Sequence, residues 1–214
     1  MDKRFNFKNY IKNRQNFLKQ HKDEDFVILD GEGCVMLSAP HGVSQARLGE
    51  YKVAEPGSLA FMLELGNRTG AHCIAKTKDC NDDANFDEIS TYKEGLKRYI
   101  RENNIKFLFD IHGLSKKRGI DINFGTHMGQ NIKTNERLFD ELTKKLGDAG
   151  FFVTIDNPFS GDVRTVAGSI AKELGIWTIQ VEISFQYTNE NKHSEKLQEM
   201  LRIFEEIVEV TKKF

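Results

Sequence analysis

The chain is short of the residues that mark flexible linkers and secreted frameworks. It has only three prolines, Pro40, Pro56 and Pro158, spread far apart. No linker, low-complexity segment or internal repeat interrupts it, so one domain spanning 1-214 is expected, with residues 1-25 as a helical extension. Three cysteines, Cys34, Cys73 and Cys80, show no paired spacing. They read as reduced thiols in a cytoplasmic protein, not as a disulfide framework. No apolar run approaches the ~20 residues of a membrane span. The first residues, MDKRFNFKNYIKNRQNF, lack the apolar core of a secretory signal. Nor is either sign of charge in excess: 31 basic side chains stand against 32 acidic ones. That balance argues against a nucleic-acid surface, as does the lack of aromatic-interleaved basic stretches. Phosphate-cradling glycine loops and the dinucleotide fingerprint are missing too.

What is present is a regular alternation of short apolar runs with helical patterns. Strands are expected at Phe26–Leu29, Cys34–Leu37, Ala71–Lys76, Ile105–Ile111, Ile120–Phe124, Phe151–Ile155 and Trp177–Ile183. Between them, Pro56 opens a helix that stops at Gly66. Thr91 and Glu94 form a capping-box signature for a helix over Tyr92–Glu102. Leu138, Leu142 and Leu146 stripe a helix within Asn131–Gly147. A further helix spans Thr165–Leu174. The last helix has an apolar face of Leu197, Met200, Leu201, Phe204, Ile207 and Val208. This order predicts an α/β fold with a mostly parallel sheet.

Ligand sites in such sheets form outside the carboxyl ends of the strands. There the sequence places His41, in SAPHGV, His112, in DIHG, and Glu182, in IQVEIS. Two imidazoles and carboxylates suit zinc with an open fourth position, a carboxylate serving as the base. Glu55, directly before the helix that starts at Pro56, is the preferred third ligand, with Glu50 and Asp79 as alternatives. Asp110 shares the face of His112, two residues on, and is placed to orient it. His127 reads as a loop residue near the site, and no partners are assigned to His21, His72 or His193.

The ordered set SAPHGV, DIHG, DINFGT, NPFSGDVRT and IQVEIS resembles the N-formylglutamate amidohydrolase family over roughly residues 34 to 187. The resemblance implies a three-layer α/β/α sandwich like that of the zinc carboxypeptidases and aspartoacylases. It implies zinc as cofactor, with His41 and His112 as ligands and Glu182 as catalytic base. It also implies hydrolysis of an amide in a small N-acyl amino acid, as in N-formyl-L-glutamate to formate and L-glutamate. Two positions depart from the pattern. The wider group often has a glutamate three residues after its first histidine, where this chain has Ser44. An Asn-Arg pair that holds the substrate carboxylate is matched only by Asn81, followed by Asp82. Arg47, Arg118 and Arg164 can supply the missing charge, and Arg164, in the loop opening a helix, is favoured for gripping a carboxylate or an oxyanion. Two other readings remain: a peptidase-like zinc hydrolase of a cell-wall or poly-glutamyl amide, and a non-catalytic ligand-binding protein.

Overall fold

The central strands bury side chains on both faces, so each face of the sheet meets its own layer of helices. The computed structural model describes residues 5–212, so residues 1–4 of the expected N-terminal extension lie outside it. The elements run α1 (Phe7–Gln20), β1 (Phe26–Leu29), β2 (Val35–Ala39), β3 (Gln45–Arg47), β4 (Glu50–Lys52), α2 (Pro56–Thr69) and β5 (His72–Lys76). Then follow α3 (Thr91–Glu102), β6 (Phe107–Leu114), β7 (Ile122–Gly125), α4 (Glu136–Asp148) and β8 (Val153–Ile155). The chain ends with α5 (Val166–Leu174), β9 (Trp177–Ser184), α6 (Phe185–Thr188) and α7 (Ser194–Thr211).

Among the described residues, seven strands form one sheet in the order β1-β5-β2-β6-β9-β7-β8. The four central strands, β5, β2, β6 and β9, are parallel. β1 joins one side antiparallel to β5, and β7 joins the other antiparallel to β9. The sheet is therefore mixed and mostly parallel, as expected.

On one face Val35, Leu37, Phe107, Phe109, Ile111, Ile179 and Val181 pack against residues of α1, α2, α4 and α7. On the other, Met36, Ile74 and Leu108 meet Tyr92, Leu96 and Ile100 of α3 and Val166 and Ile170 of α5. Side chains two apart share a face. The second face of β6 thus reads Leu108, Asp110, His112, passing from apolar core to polar site along one strand. Trp177 lies against Phe107 and Phe109 and donates its indole N–H to the Asn135 carbonyl at 3.0 Å. Burial of each such ring stabilises the fold by about 1.5–3 kcal/mol.

Several boundaries differ from the sequence expectations, for local reasons. The cap of α3 is Ser90, whose hydroxyl accepts from the Lys93 N–H at 3.1 Å. Thr91 is already helical, and Glu94 pairs with Lys97 instead of closing a capping box. α2 continues past Gly66 to Thr69 and is ended by Gly70, whose φ of 68° suits a left-handed C-cap. α4 starts at Glu136, inside the expected Asn131–Gly147 window, because the Asn135 side chain caps it, and it ends one residue past that window at Asp148. β3 and β4 add a hairpin, turning at Leu48 and Gly49, to the expected strands. The extension α1 is half as long as the 25-residue segment and docks through Tyr10, whose hydroxyl donates to the Gly57 carbonyl. All three cysteines are free. No helix among the described residues is long and apolar enough to cross a membrane.

Candidate metal centre and its cleft

Parallel strands bring their carboxyl ends to one edge, and β6 and β9 are aligned so that His112 lies beside Glu182. In the same way Ser38 lies beside Asp110, which puts His41, three residues further on, next to His112. From His41 the chain leaves through the β3–β4 hairpin and returns at Glu55, whose N–H donates to the His41 carbonyl at 2.8 Å. Glu55 occupies the N-cap of α2, but its carboxylate makes no capping bond. It turns to the histidines instead.

The Nδ1 atoms of His41 and His112 are 3.2 Å apart. Glu55 sets Oε1 3.0 Å from the first and Oε2 3.5 Å from the second. One ligand atom from each residue lies within 4.8 Å of the others. Tetrahedral zinc with ligands at about 2.1 Å separates them by roughly 3.4 Å, so this donor set fits the ion. The remaining ring nitrogens support the same conclusion. His41 Nε2 faces Asp83 Oδ1 at 2.9 Å, and His112 Nε2 faces Asp110 Oδ2 at 3.1 Å. Carboxylates behind both rings fix the Nε2–H tautomer and leave the Nδ1 lone pairs turned inward, the usual support of metal-bound histidine.

Each supporting carboxylate is itself held. Ser38 Oγ donates to Asp110 Oδ1 at 2.7 Å and meets the Tyr92 hydroxyl at 2.9 Å. Asp83 Oδ2 receives a two-pronged grip from Arg47, through Nε at 2.9 Å and Nη2 at 2.7 Å. Asp83 is fully buried, yet DCNDDANFD gives no periodic signal that separates it from its neighbours. Only a pairing argument, seeking a carboxylate for His41 as Asp110 is for His112, could have singled it out.

Charge in the metal-free chain follows from these contacts. Burial disfavours an imidazolium at His41, but Glu55 and Asp83 outweigh it and lift the ring to about 9. His112 is buried as well, and Asp110 holds it well above the ordinary imidazole range. Burial acts against charge at Glu55 also, and the two histidines nevertheless keep its carboxyl well below its ordinary value. Glu182 goes the other way. Burial, aided by the charge of Glu55, raises it to about 7 against the pull of His112. Gln180 Nε2 donates to Glu182 Oε1 at 2.7 Å and orients it.

His41, Glu55, His112, Gln180 and Glu182 line a cleft of about 590 Å³, together with Arg47, Lys52, Arg118 and Arg164. Arg47 is engaged by Asp83. Arg164 is largely exposed and reaches Asp162 at 3.4 Å. Arg118, stacked 5.1 Å over the Phe159 ring, has no carboxylate partner among the described residues. Asn81 is not in the cleft: it is exposed, and its N–H donates to the Asp79 side chain. Glu50 lies in the hairpin with Lys52, and neither Glu50 nor Asp79 is part of the three-residue cluster.

No family model matches the sequence, and no curated protein sequence does. Solved structures do match in three dimensions. A gene product of Agrobacterium tumefaciens aligns with a TM-score of 0.63 at 13% identity, covering 92% of this chain and 97% of that one. An N-formylglutamate amidohydrolase from Ralstonia eutropha JMP134 gives 0.61 at 14% identity, covering 88% and 98%. A metallo-carboxypeptidase from Burkholderia cenocepacia gives 0.55 at 12%, covering 93% and 69%. The fold is one that solved amidohydrolase and carboxypeptidase structures share.

Proposed function

We propose that this protein is a zinc-dependent hydrolase acting on the amide bond of a small N-acyl amino acid. The observation that carries the reading is the inward-facing pair of Nδ1 atoms with Glu55 across from them, each ring backed by a carboxylate. His41, His112 and Glu55 would hold the ion. Zinc bound there supplies Lewis-acid polarisation of a carbonyl and a more acidic water.

Glu182 is the proton carrier. With its carboxyl near 7, it is able to take a proton from water and return it to the departing nitrogen. The amide gains the elements of water: the acyl carbon takes the oxygen, the C–N bond breaks, and the amine leaves with the transferred proton. Gln180 keeps the Glu182 carboxylate in position during both transfers. Arg118, which lines the cleft and has no carboxylate partner among the described residues, is the guanidinium left free for the substrate carboxylate. Arg164 serves less directly, since Asp162 already engages it.

Native metal analysis tests the reading. Wild-type protein is expected to carry about one zinc per chain, lost in His112→Ala and Glu55→Ala, with release of free amine from N-acyl amino acids. Wild-type protein that binds no zinc when the ion is supplied would overturn it.

A further inference from the structure

Beside the candidate metal centre stands an apolar wall that proton transfer and carboxylate binding leave unused. Phe185, the first residue of α6, lies directly on the backbone of β6. A Cβ placed on Gly113 would be 2.1 Å from Phe185 Cε1, so only glycine admits the ring there. The same Gly113 donates its N–H to Glu55 Oε2 at 2.8 Å. The ring thus packs on the residue that follows His112 and that holds Glu55, and it lines the same cleft as both. Immediately before Glu55 come Val53 and Ala54, which also line the cleft. Val53 is 76% exposed, an uncovered branched side chain at the mouth of the site.

We infer that Val53, Ala54 and Phe185 form an acyl subsite, and that the substrate carries a hydrocarbon or aromatic acyl group in place of formyl. The inference rests on the amide-hydrolase reading above and names its substrate class. A formyl group presents only a hydrogen beside its carbonyl and gains nothing from an apolar wall. A benzoyl or branched acyl group covers Val53 and lies against Phe185, removing apolar surface from water. A cleft of about 590 Å³ is also of the size that encloses ligands well beyond a formylated amino acid. Hydrolysis then releases an aromatic or branched carboxylic acid, whose new oxygen comes from water, and the free amino acid.

The test compares N-formyl-, N-acetyl- and N-benzoyl-L-glutamate with the zinc-loaded full chain, so that only the acyl group varies. The kcat/KM for benzoyl is expected to exceed that for formyl by about tenfold or more. Val53→Ser and Phe185→Leu lower that ratio several-fold, while Leu48→Ser, at the exposed hairpin tip, leaves the ratio unchanged. A ratio at or below one overturns the inference and leaves the amide-hydrolase reading standing. Calorimetric titration of benzoate against formate gives a second readout that needs no turnover. Tighter benzoate binding, weakened by Val53→Ser, supports the subsite, and equal affinities overturn it. If no acyl-glutamate is cleaved while zinc is bound, the hydrolase reading falls and the benzoate titration still decides the subsite.

Discussion

His41 and His112 meet edge to face, with ring centroids 4.7 Å apart and planes inclined by 81°. Two buried imidazoles held this close, each with a carboxylate behind it, compete for a cation. In the metal-free chain protons take that place, and zinc has to displace them.

Zinc affinity should therefore rise with pH. His41 is lifted to about 9 and His112 higher than usual, so both rings carry protons at pH 6 and release them on binding. Competition with a calibrated chelator between pH 6 and 9 is expected to show tighter binding by about tenfold per unit for each proton displaced. A flat profile would contradict the ligand assignment.

Metal-free protein should lose stability over the same range. The folded pKa of His41 is raised above its unfolded value. Its contribution is fully present below about pH 6.5 and disappears as pH rises through about 9. Glu182, raised to about 7, acts in the same direction between its unfolded value and neutrality. Together the loss from pH 6 to 9 is roughly 3 to 5 kcal/mol. Thermal melts of chelator-treated protein should show a falling Tm from pH 6 to 9, and saturating zinc should remove most of that slope.

Asp83→Asn should weaken zinc binding by about 10- to 100-fold, because it removes a charge that orients His41. It also frees Arg47 from its grip. Metal titration of the variant reads this directly, and an unchanged affinity would show that Asp83 serves packing alone.

Glu182→Gln should keep its zinc and lose turnover, by about 10²- to 10⁴-fold in kcat, as expected for removal of a proton-transfer group. Parallel metal analysis and steady-state kinetics separate the two effects. Loss of zinc along with activity would reassign Glu182 to the ligand set.

Phe109→Ala should destabilise the protein by about 3–5 kcal/mol, since the ring is fully buried between Trp177 and Phe204. Trp177 is the chain's single tryptophan and reports the change. Denaturant titration followed by its fluorescence gives the value.

The central strands are legible in the sequence because they are buried on both faces, most as apolar runs and β9 as an apolar–polar alternation. β9 is buried along all eight residues and was placed to within one residue of its ends. His41, His112, Glu55 and Asp110, singled out by position at strand and helix ends, come together in space. The hairpin was missed because its strands have three residues each, too few for a period of two to show. The α3 cap falls one residue earlier than the capping-box spacing suggests because Ser90, the better N-cap type, takes the position although Lys93 three residues on cannot complete a box. Asp83 lay hidden among like residues because its role comes from a contact 42 positions away with His41, which no local pattern encodes. Among the arginines, preference for Arg164 rested on its loop. Arg47, Arg118 and Arg164 all line the cleft, and their differing contacts with Asp83, Phe159 and Asp162 come from the tertiary fold, which no local pattern encodes.

The hydrogen bond from the Glu55 N–H to the His41 carbonyl pinches the chain shut at the two residues that matter most. Everything between them, residues 42–54, is an excursion that begins and ends at the same place. Within that excursion Arg47 reaches back to Asp83 behind His41, so the loop is fastened to the reaction centre in its middle as well as at its neck. A loop grafted at the same neck keeps the centre intact only if it brings its own guanidinium to Asp83.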